Sequence, residues 1–556
     1  MTQPKASAAP LVRRIIVYTI LFVLVCLTAA GLADLIGRAV DVFSDDLLVG
    51  SATTGLAGSL TFALIGGPLA VLLGWFAWRR LADPSERSSL AYALYLVGMT
   101  TVALIVAGSA VFTAIAGAVT GERVTTEAAT GLVWAAVWVG HRLVLRRGSR
   151  QPSRLPDTAA VLGGLFGLVI GVGGAITALS SLFDAALGGP PVVAVGAPWW
   201  SGAVQALVWA LGGASIWWWH WRYDGASQAR TPLAAVALVG IGILGGCLLT
   251  LTGTGTALFV VLRLAVDRSD AMPDVLDPLG AAVAAALVGG VVWLHHRAVV
   301  AARSAAVQEA STLVTSGIAL IAAATGLGVI VNALLAALAT PLVGSSPHTL
   351  LLGGISALLV GAPVWWFSWR PAAHVGVGQR ASSGRGVYLV VVFGISAIVA
   401  LVTILVIGFR LFDILLNADS GLVDRIRAPL GLLVATGLVS SYHFALWRGD
   451  RAAAAAAPDP TPVAAAGAGN PPVIGELVLI MGPGAEPVVR HLHELTGAQV
   501  ALWQREGAAT ALPDPAEVVQ ALDGVQAARV VLIVGADGGL SVIPLAAAER
   551  ASGLPG

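Results

Sequence analysis

The sequence predicts an all-α polytopic membrane protein of about twelve transmembrane helices, arranged as six tandem hairpins, with a small soluble α/β domain at its C-terminus. The 556 residues are 57% hydrophobic and only 11% charged, whereas soluble proteins carry about 25% charged residues. The mean hydropathy is +0.87. Stretches such as Leu47–Trp78 and Ala310–Trp369 hold no Asp, Glu, Lys or Arg, and roughly 20 apolar residues span a bilayer as a helix.

Twelve segments are long and apolar enough to be spans. They are apolar on all sides, whereas a helix on the surface of a soluble protein keeps a polar face. We expect spans at 13–35, 56–78, 90–118, 127–146, 158–182, 202–221, 232–262, 279–296, 312–338, 349–369, 387–409 and 428–447.

A short motif recurs where the even-numbered spans end. Tryptophan is followed after two residues by Trp or His and then by Arg, with the arginines 63 to 80 residues apart in the first five copies. The sixth copy, Phe444-x-x-Trp447-Arg448, is weaker. Self-similarity at a nearly fixed spacing indicates a repeat architecture. The predicted repeats are 13–82, 87–150, 157–225, 230–303, 310–371 and 386–450, and the five tryptophans are Trp75, Trp138, Trp218, Trp293 and Trp366.

The motif has an interfacial interpretation and a ligand-binding alternative. Tryptophan concentrates at the membrane–water interface, and arginine just beyond it contacts headgroups. We therefore interpret the five tryptophans as interfacial anchors. The alternative is a row of aromatic–cation ligand sites.

The distribution of basic residues predicts the orientation. Of 31 Lys and Arg residues, 20 fall on the side that holds the N-terminus, 7 on the opposite side and 4 in the C-terminal domain. Because basic residues concentrate in cytoplasmic loops, we expect a cell-membrane protein with both termini in the cytoplasm.

The remaining segments are a tail, a linker and a domain. Residues 1–12 form a polar tail, 13–450 the transmembrane domain, and 451–472 an Ala/Pro/Gly linker. Residues 473–556 change to alternating β-like and amphipathic segments, which predict a small cytoplasmic βαβαββ domain.

No catalytic, cofactor or metal site is predicted. Lys5 is the only lysine and lies in the tail, so the folded part can hold neither a P-loop nor a Schiff-base site. Gly482-Pro483-Gly484 is either a tight turn or a phosphate-binding loop. Five histidines near the basic ends of spans are either interfacial or a proton or metal path: His141, His220, His295, His296 and His443. An enzyme is not favoured.

A Thr/Gly-rich stretch in the seventh span is the best candidate for a transport path. Its members are Thr250, Thr252, Thr254 and Thr256. Discontinuous helices form transporter sites, but small residues also permit close helix packing. We favour packing at this stretch.

The tandem hairpins, with even spans ending in aromatic-x-x-Trp/His-Arg, resemble an uncharacterised bacterial family of multi-pass membrane proteins known only as a domain of unknown function. The resemblance covers roughly residues 10–450. It implies the architecture and supplies no activity.

Three functions remain open from the sequence. The favoured one is a membrane scaffold or sensor, embedded in the lipid bilayer, whose cytoplasmic domain binds a protein partner. The alternative is a transporter or channel for an apolar or neutral solute. A lipid-modifying membrane enzyme is the least favoured. The net charge of +1 gives no indication of nucleic-acid binding, and the sequence indicates no oligomeric state.

Overall fold

The computed structural model describes the helical part at residues 8–42, 52–146, 149–188, 198, 200–267, 270–338, 347–373, 383–417 and 421–456. In the C-terminal part it describes residues 474–482, 488–489, 492–493, 498–505, 515–522, 525, 527, 529–535 and 539–545. The chain divides into two compact units, Met1–Ala457 and Pro458–Gly556. We call them the helical unit and the C-terminal unit.

Twelve long helices make up the described part of the helical unit, one for each predicted span. They are α1 (Ala8–Val42), α2 (Ala52–Thr61, continued to Arg80), α3 (Leu90–Thr120), α4 (Thr125–Arg146), α5 (Thr158–Gly188), α6 (Ser201–Trp218), α7 (Pro232–Ala237, continued to Val266), α8 (Leu279–Val300), α9 (Ala305–Ala336), α10 (Pro347–Ala373), α11 (Ser383–Asn417) and α12 (Leu422–Ala456). Most extend several residues beyond the predicted spans, because a helix continues into the polar residues that end an apolar run.

Eleven helices in the described residues are long and apolar enough to cross a membrane. The polytopic all-α class is therefore confirmed. The helix outside this set is α6, the predicted span 202–221. Its 18 residues include Gln205 and three tryptophans, which lower its mean hydropathy. It nevertheless packs along α5, as the second helix of each other hairpin packs along the first.

A proline disturbs the regular helix in α2, whereas the Thr/Gly stretch leaves its part of α7 regular. A π-helical turn, Phe62–Gly66, precedes Pro68 in α2, where the ring removes a backbone donor. The Thr/Gly stretch of α7 does not interrupt the helix, which is regular over Gly246–Val266. A Cβ added at Gly253 would lie 2.5 Å from the carbonyl oxygen of Ala282 in α8. The small residue at this position permits the close approach of α7 and α8, while the choice between packing and transport for the stretch stays a prediction.

The twelve helices form three four-helix modules, α1–α4, α5–α8 and α9–α12. In each module the two hairpins pack together, and the first helix also contacts the fourth: α1 with α4, α5 with α8, and α9 with α12. Between modules, the third helix of one contacts the second helix of the next, as α3 does with α6 and α7 with α10. The hairpin is thus a sub-unit of a larger repeat.

The C-terminal unit contains a mixed four-stranded sheet in its described residues. The strands are β1 (Glu476–Met481), β2 (Gln499–Gln504), β3 (Arg529–Val534) and β4 (Leu540–Leu545), in the order β2-β1-β3-β4. Strand β1 is parallel to β2 and β3, and β4 is antiparallel to β3. A helix, α13 (Pro515–Leu522), precedes β3. The predicted small α/β domain is confirmed.

Several expectations fall wholly or partly outside the described residues. These are the tail up to residue 7, the linker from residue 457, the second and third residues of Gly482-Pro483-Gly484, and parts of the helix that follows β1. The first part of the predicted linker is helical, because α12 continues to Ala456.

Candidate functional site

One end of the helical unit is rich in arginine and tryptophan, and we call it the basic end. It holds the start of α1 and the five Trp-Arg motifs that close α2, α4, α6, α8 and α10. The guanidinium carbon lies over the tryptophan ring four residues earlier for Arg79 (4.2 Å), Arg142 (5.1 Å), Arg222 (5.6 Å) and Arg370 (5.7 Å). These are cation–π contacts, worth about 0.5–1 kcal/mol at exposed sites.

The fourth motif differs from the others. Among the five described Trp-Arg pairs, only Arg297 is not stacked on its tryptophan, Trp293. Both side chains instead line a cavity of about 290 Å³, together with Ser311 of α9 and Ser368 of α10. We call it the junction cavity, because it lies where the second module meets the third.

Ion pairs tie the helices together at the basic end. Arg14 of α1 contacts Glu86 at 2.8 Å, and Glu86 is buried. Arg142 of α4 binds Asp224, which follows α6. Arg385 of α11 contacts Asp450 of α12 at 2.9 Å. These cations are committed to structural partners, so they are poor candidates for ligand binding.

The fourth helix of each module carries one histidine that is bonded to its own backbone. The Nδ1 atoms of His141, His296 and His443 lie 2.8 Å from the carbonyl oxygens of Val137, Val292 and Val439, four residues earlier. The Nε2 of His141 also contacts the hydroxyl of Tyr95, at 3.0 Å. Each histidine is held by its own helix, and the three lie in separate modules, so they do not converge on one site.

Of the four threonines, two line a groove between α7, α9 and α10. The groove has a volume of about 420 Å³, and its lining includes Thr252, Thr256 and Ser356 but neither Thr250 nor Thr254. The Thr252 hydroxyl donates to the carbonyl of Leu248 at 2.7 Å. Ile321 on the groove wall is 68% exposed, so the groove opens sideways out of the bundle. Most of its lining is apolar.

The sheet of the C-terminal unit is covered on one face only. Alternate residues such as Leu477, Leu479 and Leu532 are fully buried and form a core with Leu492 and with Val518 of α13. The residues between them point to the opposite face, which no described helix covers. Trp503 on that face is 63% exposed and Ile543 is 43% exposed.

We call this second surface the open sheet face. On this face Trp503 of β2 is paired with Ile480 of β1. Two residues further along the strands, Val478 of β1, Val531 of β3 and Ile543 of β4 are cross-strand neighbours. At the start of β1 and β3, the neighbouring side chains of Glu476 and Arg529 form an ion pair at 2.8 Å on this face. The face is therefore mainly apolar. The sequence analysis did not predict this exposed face, because β1 and β3 are apolar at nearly every position and do not show which alternate residues are covered.

No group of three or more metal-ligating side chains occurs among the described residues. The predicted absence of catalytic, cofactor and metal sites stays a prediction, as does the interfacial role of the five tryptophans. Sequence reasoning missed the junction cavity, since the Arg297 motif looks like the other four.

A family model described as a domain of unknown function, DUF5671, matches residues 14–140 and 312–438. The chain matches this domain twice. Each match runs through the four helices of one module, the first and the third, so the expected relation to a domain of unknown function built of tandem repeats is confirmed. No curated protein and no solved structure matches the chain significantly.

Proposed function

We propose that this protein is a cell-membrane scaffold or sensor, with both termini in the cytoplasm, whose C-terminal unit captures a protein partner. The open sheet face carries the proposal. Parallel strands are normally covered on both faces, and an exposed apolar patch marks an interaction surface. Here Trp503 and Ile543 project from a sheet that already has a complete core on its other side.

Two further observations support a non-enzymatic role. The acidic side chains described at the basic end include several that are held by arginines, as in the pairs Arg14–Glu86 and Arg385–Asp450. The cavities of the helical unit are lined mainly by apolar side chains and hydroxyl groups. Neither arrangement brings a nucleophile, a base and an orienting group together.

Site-specific photocrosslinking of the full-length protein in its native membrane tests the proposal. A photoreactive residue at Ile543 should crosslink one defined protein, and Trp503→Glu should abolish the crosslink, because a charge in the face prevents apolar contact. Gln504→Glu is the matched control, since Gln504 is exposed on the same strand but points to the other side. Crosslinks that persist in Trp503→Glu, or that involve lipid alone, would contradict the proposal.

The groove beside Thr252 and Thr256 supports a second candidate function, transport of an apolar or neutral solute. Its volume of about 420 Å³ is in the range of small-molecule sites. Replacing Thr252 and Thr256 by valine keeps the side-chain shape and removes the hydroxyls. Solute flux into proteoliposomes that falls in this double variant would favour transport. Absence of flux for a broad solute panel would count against it.

A further inference from the structure

The junction cavity combines a cation that has no acidic partner among the described residues, hydroxyl groups and apolar walls. Arg297 makes no ion pair with any described residue, unlike Arg14, Arg142 and Arg385. Its cavity is lined by Trp293 and Arg297 of α8, by hydroxyl residues of α9, and by Val364, Phe367 and Ser368 of α10. None of its described lining residues is acidic. The local charge is therefore positive and uncompensated.

The hydroxyl groups fall into two sets. Thr312 donates to the carbonyl of Gln308 at 3.0 Å, and Ser368 donates to that of Val364 at 2.7 Å. Ser311 and Thr315 are buried residues one helical turn apart on α9, and neither hydroxyl makes a hydrogen bond with a described group. The hydroxyls of Ser311 and Thr315 and the guanidinium of Arg297 therefore line one cavity and have no described acceptor. Hydroxyl and guanidinium donors of this kind bind the oxygens of a phosphate group.

The depth of the cavity indicates where such a phosphate comes from. Arg297 lies three residues before the end of α8, and Ser311 lies six residues after the start of α9, about 9 Å along the helix axis. This is the level at which interfacial side chains meet lipid headgroups. Phe367 on the cavity wall is 71% exposed, so an apolar surface continues from the cavity to the outside of the bundle.

We propose that the junction cavity binds the phosphate headgroup of an anionic phospholipid. Arg297 and the hydroxyls of Ser311 and Thr315 contact the phosphate, and an acyl chain lies against Phe367 and Val364. A zwitterionic lipid carries its own cation, which Arg297 repels. A free phosphate ester would lack the acyl contact. The bound lipid would lie between the second and third modules and would stabilise their junction.

Native mass spectrometry of the detergent-purified full-length protein tests this site. Phosphatidylglycerol should be retained about tenfold better than phosphatidylcholine, because charge-assisted hydrogen bonds from Arg297 change the affinity by about this factor. Arg297→Gln should remove that preference, Arg297→Lys should keep part of it, and glycerol 3-phosphate at equal concentration should not displace the lipid. Arg222→Gln is the matched control, since Arg222 is a motif arginine that lies over Trp218.

The outcomes separate binding from folding. An Arg297→Gln protein that melts like the wild type but has lost the preference supports the site. If this variant fails to fold, the double variant Ser311→Ala, Thr315→Val provides the same comparison. A phosphatidylglycerol preference that survives in either folded variant, or displacement by glycerol 3-phosphate alone, overturns the proposal.

Discussion

Arg142 of α4 and Asp224 after α6 form a two-point ion pair that joins the first four-helix module to the second. Both terminal nitrogens of Arg142 donate to the carboxylate, whose side chain is only 8% exposed. Arg146 contacts the same carboxylate from a more exposed position, with 54% of its side chain accessible. The pair thus links two modules whose helices also meet where α3 contacts α6.

Removing Arg142 should destabilise the helical unit. Arg142→Gln leaves Asp224 buried with only the exposed Arg146 as a cationic partner on α4, and breaking a buried pair costs about 3 kcal/mol. Arg146→Gln, the matched control on the same helix, should cost less than about 1 kcal/mol, because exposed pairs contribute little. Thermal unfolding of the purified variants in detergent gives the comparison. Equal losses in the two variants would show that the buried geometry is unimportant.

The same pair predicts how stability depends on pH. Burial raises the pKa of the Asp224 carboxyl, but the hydrogen bonds and charge of Arg142, with His220 and Arg146, outweigh it and hold the pKa below its usual range. A carboxyl with a lowered folded-state pKa stabilises the fold fully above its unfolded pKa of about 3.9. That contribution disappears as the pH falls through the folded-state pKa.

We therefore expect the wild-type protein to melt higher than Asp224→Asn at neutral pH and the two curves to approach each other in acid. Melting temperatures measured at a series of pH values down to about 3 test this, since the unfolded pKa lies near 3.9. A constant difference at all pH values would show that the carboxylate charge is not the cause.

Glycine contacts between α5 and α6 predict a second stability effect. A Cβ added at Gly167 would lie 2.4 Å from the backbone nitrogen of Trp217, whereas one at Gly173 on the same helix meets nothing within 4 Å. Gly167→Ala should therefore cost about 2 kcal/mol, because the helices must separate. Gly173→Ala should be neutral or slightly stabilising, since alanine favours helix. The melting temperatures of the two variants, compared with that of the wild type, test this prediction. Equal melting temperatures for Gly167→Ala and Gly173→Ala would contradict the close packing of α5 and α6.

The class and the hairpins were predictable because long apolar runs and the recurring Trp-Arg motif are properties of the chain itself. The four-helix module was not predicted, since it depends on lateral contacts between helices. One signal was present: Gly108-Ser-Ala-Val-Phe112 in α3 and Gly255-Thr-Ala-Leu-Phe259 in α7 are similar. Phe112 contacts Trp209 of α6 with 5.7 Å between ring centroids, so this pattern lies at a module junction.

The two candidate binding surfaces depend on features that sequence patterns do not show. Arg297 occupies the same motif as Arg79 or Arg222, and only the packing of α8 against α9 and α10 places it beside a cavity. In the described structure the open sheet face is uncovered because α13 contributes Val518 to the core on the other face, to which Val488 and Leu492 also belong. The sequences of β1 and β3 do not distinguish their buried face from their exposed face, because most residues of both alternate sets are apolar.

The number of membrane crossings decides on which side the C-terminal unit lies, and α6 is the helix that decides it. If α6 crosses, the twelve described helices place both termini on one side; if it does not, eleven crossings place them on opposite sides. Ser153 precedes α5, Ser227 follows α6, and Glu122 lies between α3 and α4 at the other end of the bundle.

The most direct test is cysteine labelling of intact cells with a membrane-impermeant maleimide. The two native cysteines, Cys26 and Cys247, both lie within helices. Glu122→Cys should be labelled in intact cells, and Ser153→Cys and Ser227→Cys only after permeabilisation. Labelling of Ser227→Cys from outside, with Ser153→Cys still protected, would contradict a cytoplasmic C-terminal unit and with it the proposed function.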